Sequence, residues 1–268
     1  MTSAPARLLV IAGSDSGGGA GVEADIKTAT MFGVYAMTAI TAVTVQDTRG
    51  VHRVHAMPPD MVCEQITRLA DDMGFDAIKI GMLGTAAMID VVASALERCD
   101  SSLPLVLDPV LTSTSGTPLL DDDAIALLAA RLLPRTTLVT PNIPEAERLT
   151  GMSLADDESA LNAGNILRSR GADAVLIKGG HRAGKRVKDL LVWENGVETY
   201  SFPRIATRHT HGTGCTLATA IACELAQHQS LPLAVSRARD FVQKAIQSAP
   251  GFGRGQGPLN HMHGLRAN

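Results

Sequence analysis

Aromatic residues are scarce: five phenylalanines, two tyrosines and one tryptophan make up 3% of the 268 residues. A stacking platform for single-stranded nucleic acid needs several such rings on one face, so that class is excluded. Basic and acidic residues nearly cancel, to a formal net charge of −3, and no basic block occurs. A counterion-driven grip on a nucleic-acid backbone is excluded with it. No apolar stretch is long enough to span a bilayer, and the run Leu8 to Ala12 is too short for a signal-peptide core. The four cysteines show neither CxxC pairing nor zinc-ligand spacing with the histidines. Reduced thiols in a cytoplasmic protein are therefore expected, with Cys63, Cys99 and Cys223 on helical stretches and in the core.

What the chain does hold is 45% hydrophobic residues, arranged as short apolar runs that alternate with segments of helical period. That alternation predicts strands joined by crossover helices. RLLVIAG reads as the first strand, GVEADIKTATMFG as a helix stopped at Gly33, and AMTAITAVTVQ as a strand buried on both faces. A helix with Val62, Ile66, Leu69 and Met73 on one side follows, then the strand AIKIGML and a helix capped by Thr85. LPLVLDPV, TLVTPN and AVLIKGG read as further strands, separated by the helices DDDAIALLAARLL and PEAERLTG, the latter with Pro144 at its start. Asn195-Gly196 between two strand-like runs predicts an antiparallel hairpin, and two helices complete the chain. No linker or repeat interrupts the pattern. The expectation is an α/β fold of one domain over residues 1–268, a doubly wound and mostly parallel sheet flanked by helices, with an antiparallel hairpin at one edge.

Such sheets bind ligands beyond the carboxyl ends of their strands. The polar and glycine residues predicted there are Gly13-Ser14-Asp15, Gln46, Gly81-Met82, Asp108, Asn142 and Lys178-Gly179-Gly180. In GSDSGGGAG the glycines could admit a ligand close to the backbone, or serve only as a turn. Gly19, Gly21 and Ala24 also match G-x-G-x-x-A, a dinucleotide signature, but lie well past the strand end. Asp108 and Glu145 are hard oxygen ligands of the kind that hold Mg²⁺, while Asn142 and Glu145 equally suit a helix cap. Lys178 ends an apolar strand, where an anion such as phosphate would offset the cost of burying an ammonium. Gln46 offers a donor and an acceptor, a pair that matches an aminopyrimidine edge, unless it only closes a turn. His261 and His263 read as tail or surface.

THGTGC, Thr210 to Cys215, precedes a helix of small residues, and its glycines give backbone N–H groups room to surround a phosphoryl oxygen. Cys215 sits there in the first turn, where a thiol pKa can be lowered.

AGSDSGGGAGVEADIKT, KIGML, LDPV, TPNIPEAERLTG, LIKGGH and THGTGCTLATAIA together resemble the hydroxymethylpyrimidine/phosphomethylpyrimidine kinases of thiamine biosynthesis, in the ribokinase-like superfamily. The motifs follow the family's order from Ala12 to His261. The resemblance implies ATP-dependent phosphorylation of 4-amino-5-hydroxymethyl-2-methylpyrimidine and then of its monophosphate, with Mg²⁺. It places Gly212, Thr213 and Gly214 in an anion hole and Cys215 where sugar-kinase relatives carry an aspartate base. Gly13, Asp25, Gln46, Met82 and Val110 would line the pyrimidine pocket, with Asp25 near the hydroxymethyl group. Asp108 and Glu145 would organise the metal, and Lys178, Asn142 and Thr213 the ATP. A homodimer is implied by the same likeness. Competing expectations are a pyridoxal or pyridoxine kinase, an oxidoreductase built on the G-x-G-x-x-A match, and a pyrimidine sensor without turnover. The basic loop HRAGKRVK after Lys178 reads as a cover over the phosphates or as a solvated turn.

Overall fold

The computed structural model describes residues 4–112 and 119–265. Its strands are β1 (Arg7–Asp15), β2 (Tyr35–Asp47), β3 (Gly50–Ala56), β4 (Ala77–Ile80), β5 (Leu105–Leu107), β6 (Leu138–Val139), β7 (Ala174–Ile177), β8 (Arg186–Trp193) and β9 (Gly196–Pro203). Between and after them lie α1 (Gly21–Met31), α2 (Pro59–Asp72), α3 (Ala86–Leu96), α4 (Asp122–Leu132), α5 (Ile143–Thr150), α6 (Asp157–Ser169), α7 (Thr213–Ala226) and α8 (Leu231–Gln247). The strands form one sheet in the order β3-β2-β1-β4-β5-β6-β7-β8-β9. Strands β2, β1, β4, β5, β6 and β7 run parallel, while β3 at one edge and β8 near the other run antiparallel to them, and the edge strand β9 pairs antiparallel with β8.

Alternation along β1 explains how the sheet is covered. Leu9 and Ile11 join a core with α2 to α6, whereas Leu8, Val10 and Ala12 join a second core with α1, α7 and α8. Successive strand side chains point to opposite faces, so a run without charge requires helices on both. From β1 the chain passes to β2 on one side and returns to β4 on the other. The loops that leave β1 and β4 part at this point, and a crevice opens there.

Local signals act as expected at several ends. Thr85 accepts the Met88 N–H, Gly33 takes a left-handed φ just past α1, and β8 returns as β9 through Asn195-Gly196. Three features differ from the sequence reading. GVHRVHA forms β3, so both sheet edges are antiparallel. DESALNAGNILRS forms α6, started by a capping box of Asp156 and Ser159. β2 is buried on both faces only in part, since Val43 and Val45 are exposed where the strand runs on into its hairpin with β3.

Candidate active site

The crevice is a cavity of about 700 Å³ bordered by the loops after β1, β4, β5, β6 and β7 and by the start of α7. Its floor is made by two loops that need glycine to touch. A Cβ on Gly212 would stand 1.8 Å from the Gly19 carbonyl oxygen, and one on Gly19 would stand 2.6 Å from Cδ2 of His211. Gly212 also has φ +84° and Gly21 φ +59°. The GSDSGGGAG glycines therefore serve contact between two protein loops, which removes the dinucleotide reading of Gly19, Gly21 and Ala24.

Gly212 caps α7, and its carbonyl accepts the first helical bond, from Thr216, at 2.9 Å. Thr213 spends both its N–H and its hydroxyl on the Thr210 carbonyl, at 3.3 and 2.6 Å. This differs from its expected role as an anion donor, and leaves the amides of Gly214 and Cys215 at the positive end of the helix. The space over Gly214 is bounded by opposite charges: a Cβ there would lie 3.2 Å from Asp108 Oδ2 and 3.3 Å from Lys178 Nζ.

Lys178 Nζ donates to Asp108 Oδ1 at 2.8 Å and lies 4.0 Å from Glu145 Oε2. Burial works against this ammonium, but Asp108 and Glu145 outweigh it and hold the lysine pKa above its ordinary value. Glu145 is shifted upward, first by burial and then by Asp108, with Lys178 opposing. Asn142 caps α5, its side chain accepting the Glu145 N–H at 2.9 Å while Glu145 accepts the Asn142 N–H at 2.8 Å. The capping reading of this pair thus holds, and Glu145 still reaches the cavity wall.

Cys215 lines the same cavity, but its thiol is pushed up to about 11. Burial dominates, Lys79 opposes it, and the carboxylates of Asp25 and Asp108 raise it further. The helix terminus does not win here, so in place of the lowered thiol pKa that the first turn suggested, Cys215 is held as a neutral thiol. One turn along α7, Thr219 donates to Asp25 Oδ1 at 2.6 Å, and Lys79 donates to Asp25 Oδ2 at 2.7 Å. Asp25 is fully buried in this bracket of α1, β4 and α7 and does not line the cavity. Lys79 stands at the wall in its place.

Gly13 and Met82 meet at the carboxyl ends of β1 and β4, where a Cβ on the glycine would lie 2.7 Å from Met82 Cε. Val110 adjoins them in the cavity wall with φ +29°, a costly conformation for a β-branched residue. Gln46 faces the cavity from β2. Its amide lies 3.3 Å from His211 Nε2, which stands 2.8 Å from Asp15 Oδ2. Asp15 also accepts the N–H groups of Gly17, Gly19 and Ala20. Burial would raise its pKa, yet His211 and the Gly17 and Ala20 amides hold it below its ordinary value.

All the sequence-derived site residues except Asp25 border the one cavity. Lys79 and His211 were missed, and Asp15 was placed at the strand end without a role. For Lys79 a signal existed, because AIKI carries a lysine in a buried strand as AVLIKGG does. The C-terminal histidines are not free at the surface: His261 is buried with Nε2 2.9 Å from Thr216 Oγ1, its pKa pushed down to about 4 chiefly by burial, and half-buried His263 packs at a tilt against Phe241. The basic loop after Lys178 is pinned, as Arg204 donates to the carbonyls of Gly180, Arg182 and Gly184 and Arg182 pairs with Asp157.

Residues 15–260 match the family described as phosphomethylpyrimidine kinase. The hydroxymethylpyrimidine/phosphomethylpyrimidine kinase of Haemophilus influenzae is 44% identical over 95% of this chain and 96% of its own. The thiamine biosynthesis bifunctional protein ThiED of Geobacter sulfurreducens is 44% identical over 95% of this chain, which spans about half, 52%, of that longer relative. Among solved structures, the pyridoxal kinase from Staphylococcus aureus in complex with AMP-PCP and pyridoxal superposes with a TM-score of 0.89 at 33% identity, covering 98% of this chain and 96% of the other.

Proposed function

Because the chain belongs to the phosphomethylpyrimidine kinase family, we infer that it phosphorylates the hydroxymethyl group of 4-amino-5-hydroxymethyl-2-methylpyrimidine with ATP, and then the monophosphate, in thiamine biosynthesis. The observation that carries this reading is the space over Gly214, where a helix N-terminus, Lys178 and Asp108 converge within 3.3 Å of one Cβ position. Phosphoryl transfer asks mainly for positioning and for charge stabilisation around the moving group. The amides of Gly214 and Cys215 supply the donors, and Lys178 supplies the mobile positive charge once phosphate competes for it with Asp108. Gln46, Gly13, Met82 and Val110 hold the pyrimidine ring, with Gln46 on its amino edge.

The donor set suits Mg²⁺. Among the described residues no group of three or more His, Cys, Asp or Glu forms a metal cage. Asp108 and Glu145 give two hard carboxylates balanced by one lysine, as befits an ion that keeps several waters and takes its other ligands from nucleotide phosphates. When bound, Mg²⁺ would neutralise charge on those phosphates. Cys215, as a neutral thiol, lies beside the nucleophile as a hydrogen-bonding and shape-defining group, and proton loss from the alcohol comes late in a loose transition state.

A pyridoxal kinase activity is the second reading, favoured only by the likeness in fold to the pyridoxal-bound enzyme. Release of ADP measured with hydroxymethylpyrimidine, its monophosphate, pyridoxine and pyridoxal separates the two. The pyrimidines should be used with the higher kcat/KM, and preference for a B6 vitamer would reverse the assignment. The reading extends to a homodimer in the cytoplasm, for which exposed Val43 and Val45 offer apolar surface. A monomer mass by light scattering would refute the homodimer.

A further inference from the structure

His211 Nε2 lies between two groups, 2.8 Å from Asp15 Oδ2 and 3.3 Å from the Gln46 amide. An ionised carboxylate only accepts hydrogen bonds, so the imidazole nitrogen that faces Asp15 carries a proton whatever the charge of the ring. A protonated nitrogen cannot accept from an amide NH₂. The structure sets Gln46 Nε2 toward His211 and Oε1 toward Thr44, but the two ends of an amide are distinguished only by their hydrogen-bond partners, and these require the opposite sense, with the carbonyl oxygen facing His211.

The other end agrees. Thr44 Oγ1 lies 3.3 Å from the amide atom placed as Gln46 Oε1, but its single hydrogen is better used on the Ser14 carbonyl at 2.9 Å. Its lone pairs are left to accept from the Gln46 NH₂. Ser16 fixes the backbone of the same residue, donating its hydroxyl to the Gln46 carbonyl at 2.8 Å and accepting the Gln46 N–H at 2.9 Å. Both the position and the sense of the amide are thus determined by neighbours rather than by a ligand.

We propose that His211 is a positioning residue for substrate recognition: locked as a donor by Asp15, it holds Gln46 with its carbonyl oxygen toward the imidazole and its NH₂ toward Thr44. The proposal rests on Gln46 reading the pyrimidine edge. Held in this sense, the amide keeps one lone pair and one N–H to meet an amino group and the ring nitrogen beside it. The reversed amide would set NH₂ against the amino group, donor against donor. Because His211 directly precedes Gly212, the same side chain ties the pyrimidine-reading residue to the loop that forms the anion site.

The test combines kinetics with a readout that does not depend on turnover. His211→Ala should raise the KM for hydroxymethylpyrimidine about tenfold or more while the KM for ATP stays within about twofold. In a Gln46→Ala background the same change should add nothing, because its effect runs through Gln46. Multiplying effects in the double variant, or equal rises in both KM values, would overturn the proposal. In the native protein, ¹⁵N NMR of the ring nitrogens should find Nε2 of His211 protonated, and a bare Nε2 would overturn it even if His211→Ala failed to fold. A native enzyme inert toward the pyrimidine would instead refute the functional reading, and the ring-nitrogen spectrum would still decide the geometry.

Discussion

The Lys79 ammonium lies 2.7 Å from Asp25, with neither side chain exposed to solvent. A buried pair of this kind is far more costly to break than to replace. Lys79→Met should destabilise the fold by about 3–5 kcal/mol, whereas Lys79→Met with Asp25→Leu should recover most of that loss. Urea unfolding of the two variants checks this, and equal losses in both would mean that the pair itself is the source of stability.

Gly212 and Gly214 are two residues apart but predict different outcomes. Gly212→Ala meets the Gly19 carbonyl and keeps an unfavourable φ, so it should lower stability by about 1–3 kcal/mol and activity with it. Gly214 is helical, where alanine is better by roughly 0.5–1 kcal/mol, yet the new methyl would fill the space between Asp108 and Lys178. Gly214→Ala should thus melt no lower than the native protein and lose most of its kcat. Near-native kcat in Gly214→Ala would move the phosphoryl group elsewhere.

Cys215 should alkylate slowly at neutral pH, with a rate that climbs toward its thiol pKa of about 11. Correspondingly, kcat should show no Cys215 ionisation between pH 6 and 9, taking those limits as about the range in which an unshifted thiol would titrate. Iodoacetamide labelling across pH distinguishes this from a preformed thiolate, which would label fast at pH 7.

Asp15 has a folded pKa below its ordinary 3.8, so between the two values the unfolded chain binds the extra proton. Its contribution is present above that window and is lost as pH falls through the folded value. Asp15→Asn should flatten the fall of stability below pH 4, taken as about the unfolded carboxylate value, and lower stability at neutral pH. An unchanged acid limb in thermal melts would contradict this.

Chelation should abolish turnover and added Mg²⁺ should restore it. Asp108→Asn should raise the Mg²⁺ requirement at least about tenfold. Indifference of that variant to Mg²⁺ concentration would detach Asp108 from the metal.

The sheet and most of the cavity wall were legible because the buried parallel strands, Lys79 in β4 apart, lack charge and their ends suddenly gain it, as at Leu107-Asp108 and Ile177-Lys178. α6 was not, since its inward face uses Ala160, Ala163 and Gly164, which carry little hydrophobic signal. Gly164 has to be small: a Cβ there would lie 2.8 Å from Val192. β3 escaped because its side chains are exposed or half-buried and lack a core stripe. The Cys215 pKa is set first by burial and then by Lys79, Asp25 and Asp108, all distant in sequence, and Asp25 belongs to a partner, Lys79, 54 residues away. Contacts between loops, such as Gly19 with Gly212, are set by tertiary packing that local patterns do not encode.

The central claim is that this chain moves phosphoryl groups from ATP to a hydroxymethylpyrimidine in two successive steps. ³¹P NMR of a reaction with ATP, Mg²⁺ and hydroxymethylpyrimidine tests it most directly. A pyrimidine monophosphate resonance should grow first and then give way to the two coupled signals of the diphosphate, with matching ADP. ATP that persists unchanged, or falls to ADP and free phosphate with no pyrimidine ester, would contradict the account.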